Sequence, residues 1–291
     1  MAVVVGTWAF SNQAVRVIAD ELLKGRNSLD ALEKGINDVE DDPLTGRYVV
    51  GRGGYPNSEG VVECDSAVML GDHCQFGAVA ALQGVATPFS VARLVLERSP
   101  HSMLVGSGAH TFAEQNGVKI ESEESLQTQE SKDAYKVSMA DDYLLRKDYD
   151  YCHALITVPS EITRKPLLIG VSSSGKPFKS PGRVGDSPLP GSGLFADNEV
   201  SSGDGDFLLR FCPSYQAVQL MSQGYTPQEA CEQVVRVSQT KAGTLSEPFE
   251  MAVLAIDKVG RVGAASTVEF PYTVWRQQDD TLETKISSFK L

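Results

Sequence analysis

Residues 182–191 read Gly-Arg-Val-Gly-Asp-Ser-Pro-Leu-Pro-Gly, and residues 202–206 read Ser-Gly-Asp-Gly-Asp. Together they define a glycine-rich loop over 182–206, built for backbone conformations that side-chain-bearing residues rarely reach. Downstream, a long helix is read over roughly 206–223. Thr226-Pro227-Gln228-Glu229 is a capping box with proline at the first helical position, so another helix starts there. Residues 249–256 and 261–267 predict a hairpin around Asp257-Lys258-Val259-Gly260, and 270–276 a last strand. Upstream, strands are expected near 153–159 and 167–172, joined by Thr163-Arg164-Lys165-Pro166.

Working outward to the start of the chain, residues 2–7 read as a buried strand. Ser11 is expected to cap a helix with Val15, Ile18, Ala19, Leu22 and Leu23 at helical spacing. Ser28 is expected to cap a second, with Leu29, Leu32 and Ile36 on one face. Residues 41–60 are turn-rich. Residues 61–70 and 75–82 predict paired strands about the Gly71-Asp72-His73 turn. Pro88 opens a helix, residues 103–105 form a short strand, and a further helix runs from about Ser107 to Gln115. Residues 119–150 turn acidic and polar and read as a surface linker, partly helical near Tyr143–Leu145. Two sheets between two helical layers satisfy this order. A Rossmann-like sheet is the competitor, but no GxGxxG follows the first strand.

The chain has 291 residues and a formal net charge of −12. Spread along the chain, that acidic excess argues against nucleic acid, whose phosphates need a positive surface, and against an anionic membrane face. No stretch approaches transmembrane length, and the N-terminus lacks a basic region before an apolar run, so the expected location is cytoplasmic. The five cysteines are odd in number and form no CxxC pair. The four histidines form no HExxH or Cys/His cluster. Neither a disulfide framework nor a metal site is expected, and no cofactor.

Ordered motifs in both halves resemble one family. Thr7-Trp8-Ala9-Phe10 looks like the start of mature glycosylasparaginases. Gly53-Gly54-Tyr-Pro-Asn-Ser-Glu-Gly60 with Cys64-Asp65-Ser-Ala67 is similar to that family's glycine-rich turn and following strand. Gly77-Ala-Val-Ala80, Val91-Ala-Arg93 and His101-Ser-Met-Leu-Val-Gly106 follow in family order. The 182–191 and 202–206 segments and Phe211-Cys-Pro-Ser-Tyr-Gln-Ala-Val218 complete it. On these residues the chain is identified as a member of the glycosylasparaginase family, N(4)-(beta-N-acetylglucosaminyl)-L-asparaginases within the type 2 asparaginases. The resemblance implies an α/β fold, the four-layer αββα Ntn-hydrolase sandwich. It implies one domain over 1–291, made of an α-like half 1–118, an acidic linker 119–150 and a β-like half 151–291. The activity implied is hydrolysis of the side-chain amide of N-glycosylated asparagine. In that family a precursor cuts itself before a threonine, whose hydroxyl then attacks while its own α-amine serves as base.

The chain departs from the family where that chemistry sits. The family's Thr-Ser-Thr-Asn-Gly segment appears as Val171-Ser172-Ser173-Ser174-Gly175. Counting back without a gap places His153 on the family's histidine, Ala154 on the aspartate and Leu155 on the nucleophile. Val171 replaces a supporting threonine. Leucine has no nucleophile and no means of self-cleavage, so no catalytic residue is assigned. The ligand side differs. By resemblance Arg183 and Asp186 hold the α-carboxylate and α-amine of an asparagine-like ligand, and an arginine fork suits a carboxylate bidentately. Ser202 and Gly203 match the pair forming the oxyanion hole. Trp8 matches a wall of the sugar-side pocket. Against these stand plainer readings, a structural loop ion pair for Arg183 and Asp186 and a core position for Trp8.

Three roles follow. The first is an unprocessed pseudoenzyme that binds an asparagine- or aspartate-like small molecule or a partner. The second is an atypical amidohydrolase using Thr157, which would require a slide of roughly 6–7 Å along the strand. Catalytic geometry tolerates far less than that. The third is a structural subunit paired with an active relative. Self-association into a homo-oligomer is implied by the resemblance alone.

Overall fold

The computed structural model describes residues 2–47, 50–140, 154–157, 167–195, 199–242 and 250–288, with backbone alone at 140, 154–157 and 199–203. It is a mixed α/β protein. Strand β1, Val3–Thr7, is buried along its whole length. Helix α1, Ser11–Leu23, packs beside it, and α2, Ser28–Glu40, packs against α1 and the large sheet. Their buried positions recur every three or four residues: Ala14, Val15, Ile18 and Ala19 on α1, and Ala31, Leu32, Ile36 and Val39 on α2. Ile18, Leu32 and Ile36 are fully enclosed, and burial of each contributes about 1.5–3 kcal/mol. Gly35 lets the two helices touch, since a Cβ there would stand 2.5 Å from an Ile18 side-chain carbon. The caps fall one residue earlier than expected. Asn27 accepts the Asp30 N–H at 2.9 Å, while the Ser11 hydroxyl turns back to the Trp8 carbonyl at 2.8 Å.

The hairpin of β2, Cys64–Leu70, and β3, Gln75–Leu82, forms where the sequence predicts it. Helix α3 is the short Pro43–Gly46, α4 is Pro88–Arg98, β4 is Met103–Val105 and α5 is Gly106–Gln115. Proline opens α4 at its first turn. In the second half β5 is Ala154–Thr157 and β6 is Leu168–Ser173. Two further strands, β11 at Phe270–Arg276 and β12 at Thr281–Ser287, finish an eight-stranded sheet ordered β12-β11-β1-β5-β6-β2-β3-β4. A second sheet, ordered β10-β9-β8-β7, comprises β7 Leu194–Phe195, β8 Glu199–Gly203, β9 Met251–Ile256 and β10 Val262–Ser266.

The period-two alternation of β9 separates two cores. Ala252, Leu254 and Ile256 join Val3, Val5 and Val274 of the large sheet. Met251, Val253 and Ala255 join Ala217, Ala230, Val234 and Val235, from helices α9, Pro213–Ser222, and α10, Pro227–Ala242. The Thr226 and Glu229 capping box opens α10 with reciprocal bonds at 2.9 and 3.3 Å. On the large sheet, Gly170 of β6 meets Ile36 and Phe89, so α2 and α4 cover the face opposite β9.

Several expectations need correction. The helix read over 206–223 is two, α8 at Gly205–Phe211 and then α9. Cys212 between them is left-handed, with φ 47°. Pro213 removes a helical N–H donor and crowds the residue before it. Part of the segment read as a surface linker is built in. Helices α6, Glu123–Leu126, and α7, Gln129–Ala140, lie there, with Leu126 buried. Arg52 draws in the acidic side, contacting Glu121 at 2.9 Å and the Ser125 carbonyl at 2.6 Å. The turn expected at Tyr143–Leu145 lies outside the described residues.

One carboxylate stands out in the core. Glu40 ends α2 fully buried, and its Oε1 accepts the Phe89 N–H at 2.9 Å and the Ser172 hydroxyl at 2.5 Å. Burial pushes its carboxyl from 4.5 up to about 8, against the opposing pull of those hydrogen bonds. Between those values the folded state binds more protons than the unfolded chain, so stability falls as pH rises through that window. The limiting slope is about 1.4 kcal/mol per pH unit. Glu40→Gln, which stays neutral, is expected to flatten that decline between pH 5 and 8. Denaturant unfolding at several pH values measures it.

Candidate functional site

The loop that follows β6 is pinned by two acids of the segment entering β2. Glu63 and Asp65 are both buried. The Gly182 N–H meets the Glu63 carboxylate at 3.0 and 3.2 Å, and the Gly185 N–H meets Asp65 Oδ2 at 3.2 Å. These bonds bracket Arg183 on both sides. Asp65 Oδ1 also accepts the Ala81 N–H at 2.8 Å, tying the loop that carries Arg183 to β3. Neither acid stands out as functional in the sequence, although Asp65 lies within Cys64-Asp65-Ser-Ala67. Asp65→Ala would leave two N–H groups without their acceptor, and each such loss costs about 1–3 kcal/mol. We expect a destabilisation of about 2–4 kcal/mol, measurable by urea unfolding.

The far end of the loop is held as firmly. The Asp186 carbonyl accepts the Leu189 N–H at 3.0 Å and the Gly193 N–H at 3.1 Å. The Tyr215 N–H bonds the Gly191 carbonyl at 3.1 Å, and the Ser214 hydroxyl bonds that of Ser192 at 2.8 Å, which docks the loop on α9. Arg183 and Asp186 therefore stand on a rigid support.

The two side chains converge on Gly205, the first residue of α8. A Cβ at Gly205 would stand 2.8 Å from Asp186 Oδ1 and 3.2 Å from Arg183 Nη2. Asp186 is fully buried. Arg183 meets Asp206, with Nε donating to Oδ1 at 3.3 Å and Nη2 within 3.2 Å of Oδ2. The Nη2 contact has the distance of an ion pair without hydrogen-bond alignment, so this buried nitrogen makes no hydrogen bond among the described residues. Asp204 caps α8 through the Asp206 N–H at 3.1 Å. Burial raises its pKa, Lys176 opposes that and Asp206 adds to it. Lys179, also buried, donates to the Glu63 carbonyl at 3.2 Å and lies with Arg183 against Gly175. The arrangement offers a guanidinium and a carboxylate side by side, which suits a ligand carrying a carboxylate and an ammonium.

Beside this clamp runs a cross-strand row. Leu155 of β5 pairs with Val171 of β6, Val171 with Ala67 of β2, and Ala67 with Ala78 of β3. Val5 of β1 pairs with Thr157, and the same register extended by two residues sets Thr7 against Leu155. Val171, Ala67 and Ala78 share one buried cluster with Leu194, just past the clamp loop, so that loop lies over the face carrying this row. Thr157 is paired on both sides, with Val5 and with Ile169. His153 lies outside the described residues. Ser202 and Gly203 lie on β8, paired with Ala252 and Met251, and lead into the Asp204 cap. Trp8 is buried in a left-handed turn after β1, edge-on to Phe270 at 5.1 Å, within the core between the sheets.

Among the described residues no group of acids, histidines or cysteines is placed to hold a metal ion. No described helix is long and apolar enough to cross a membrane.

The family model described as asparaginase matches residues 5–286. An N(4)-(beta-N-acetylglucosaminyl)-L-asparaginase of Elizabethkingia miricola is 36% identical over 296 residues, covering 97% of this chain and 84% of the relative. The protein of that name from Rattus norvegicus is 32% identical over 331 residues, covering 98% and 92%. Its Mus musculus counterpart is 35% identical over 275 residues, covering 81% and 76%.

Proposed function

This chain belongs to the asparaginase family, and from that membership we propose a glycosylasparaginase-like protein that binds an asparagine- or aspartate-like ligand without hydrolysing it. Its scaffold is the four-layer αββα sandwich of Ntn hydrolases. Support comes from β9, with helices α9 and α10 on one face and the large sheet on the other. The relatives' name points to a side-chain amide of glycosylated asparagine as their substrate class.

The observation that carries the reading is the convergence of Arg183 and Asp186 on Gly205, beside a strand row that holds leucine at 155 and valine at 171. In this reading Arg183 takes the ligand's α-carboxylate and Asp186 its α-ammonium. Ser202 and Gly203 border the amide carbonyl, while Trp8 serves the core, where it packs edge-on to Phe270. Self-cleavage and acyl transfer both need a hydroxyl where Leu155 stands, so the chain stays whole. Association of two copies belongs to this proposal on the family resemblance alone, and gel filtration tests it.

The experiment is titration calorimetry with L-aspartate, paired with an assay on aspartylglucosamine. Heat of binding without release of aspartate is expected. Turnover by the unaltered protein would overturn the reading, and absence of heat would remove the ligand.

A further inference from the structure

We propose that Asp206 is a positioning residue of the clamp: it grips the Nε–Nη2 edge of Arg183 and leaves the Nη1–Nη2 end to receive a ligand's carboxylate. The inference rests on the ligand reading above and adds how the fork is aimed.

A guanidinium carries five N–H donors in a planar fork, and a carboxylate can pair along its side or across its end. Asp206 takes the side, through Nε at 3.3 Å and Nη2 at 3.2 Å. The Nη2 contact is not a hydrogen bond, and Nη2 is buried without one among the described residues. Its hydrogens are therefore left for another acceptor, together with those of Nη1.

The walls of the slot cannot aim the fork by themselves. Gly175, Gly185 and Gly205 line it, and a Cβ on each would stand 3.3, 3.1 and 3.2 Å from a guanidinium nitrogen. Glycine walls admit the flat group and give no side chain to fix its rotation. A charged partner on a fixed backbone does. Asp206 is fixed through its N–H, which Asp204 holds at 3.1 Å in the first turn of α8. The Asp206 side chain is 55% exposed and that of Arg183 15%. With the Asp206 half of the pair open to solvent, its contribution to stability is screened, so removing Asp206 changes aim more than fold.

The opposite role for Asp206 is a competitor that occupies the fork until a ligand displaces it. The two make opposite predictions. The test uses the full chain with 15N-labelled arginine, with the Arg183 Nε resonance identified by its loss in Arg183→Lys. In the unaltered protein that N–H is expected to be rigid and slow to exchange. In Asp206→Ala, and in Asp206→Ser as a second variant, it is expected to become mobile, and in Asp206→Glu to recover. Saturating L-aspartate should shift the Nη signals and leave Nε in place. By calorimetry L-aspartate should bind Asp206→Ala about tenfold more weakly, and Asp206→Glu within about threefold of the unaltered protein. An unchanged Nε signal in Asp206→Ala, loss of that signal on adding L-aspartate, or tighter binding by Asp206→Ala would each overturn the proposal. If the unaltered protein shows no heat with L-aspartate, the ligand reading fails, while the Nε signal still decides whether Asp206 holds the fork.

Discussion

Arg183→Ala is expected to weaken L-aspartate binding by about thirtyfold to several thousandfold, since removing one partner of a desolvated charge pair costs about 2–5 kcal/mol. The side chain is mostly enclosed, pressed against glycines on three sides and pointed past Asp206. Alanine also withdraws a cation that shares the Gly205 surround with buried Asp186 and leaves that carboxylate in a more negative setting, so Arg183→Ala is expected to unfold earlier as well. Arg183→Lys separates the two effects. It keeps a positive charge near Asp186 and loses the fork, because an ammonium cannot make the bidentate pair. Near-normal stability with binding reduced about tenfold or more is the expected result. Calorimetry and urea unfolding on both variants check it. Undiminished binding by Arg183→Lys would show that the ligand does not use the fork.

The second large effect concerns the row at 155. The triple variant Ala154→Asp, Leu155→Thr, Val171→Thr is expected to break its own chain between positions 154 and 155 and to gain turnover of aspartylglucosamine. The register supplies the reason. Positions 155 and 171 are direct cross-strand partners, so a hydroxyl at 171 stands beside one at 155, within the separation of about 4.5–5.5 Å between opposed side chains. Leu155→Thr alone is expected to stay whole, because the flanking acid and the supporting hydroxyl are still missing. Two bands on a denaturing gel for the triple variant, and one for the single, are the predicted pattern. A triple variant that stays whole would show that these three positions are not what keeps the chain from cutting itself.

Much of this was legible before the structure, for physical reasons that differ by element. The β2–β3 hairpin, α4 and the α10 capping box are local: turn chemistry, proline at the first helical turn and the Thr226–Glu229 reciprocity all act within a few residues. The Arg183–Asp186 loop was legible because its glycines are dense and its order matches a family. What was hidden is held by distant partners. Glu63 and Asp65 look like ordinary strand acids until the fold brings Gly182 and Gly185 onto them. Glu40 closes an acidic helix in the sequence, yet in the fold it is sealed between α4 and β6. The break at Cys212 is written in the proline that follows it, which disfavours a helical residue at 212. Strand β12 carries polar residues on an exposed edge, Thr281–Ser287, where periodicity is weak. Asp206 shows its role only once Arg183 is seen to lie against it.

The most direct test of the central claim is the intact mass of the purified protein. A single uncut polypeptide is the predicted result, since no hydroxyl stands at 155 to start the cleavage. Two fragments broken before Leu155 or before Thr157 would contradict the account and return the chain to the self-processing hydrolases.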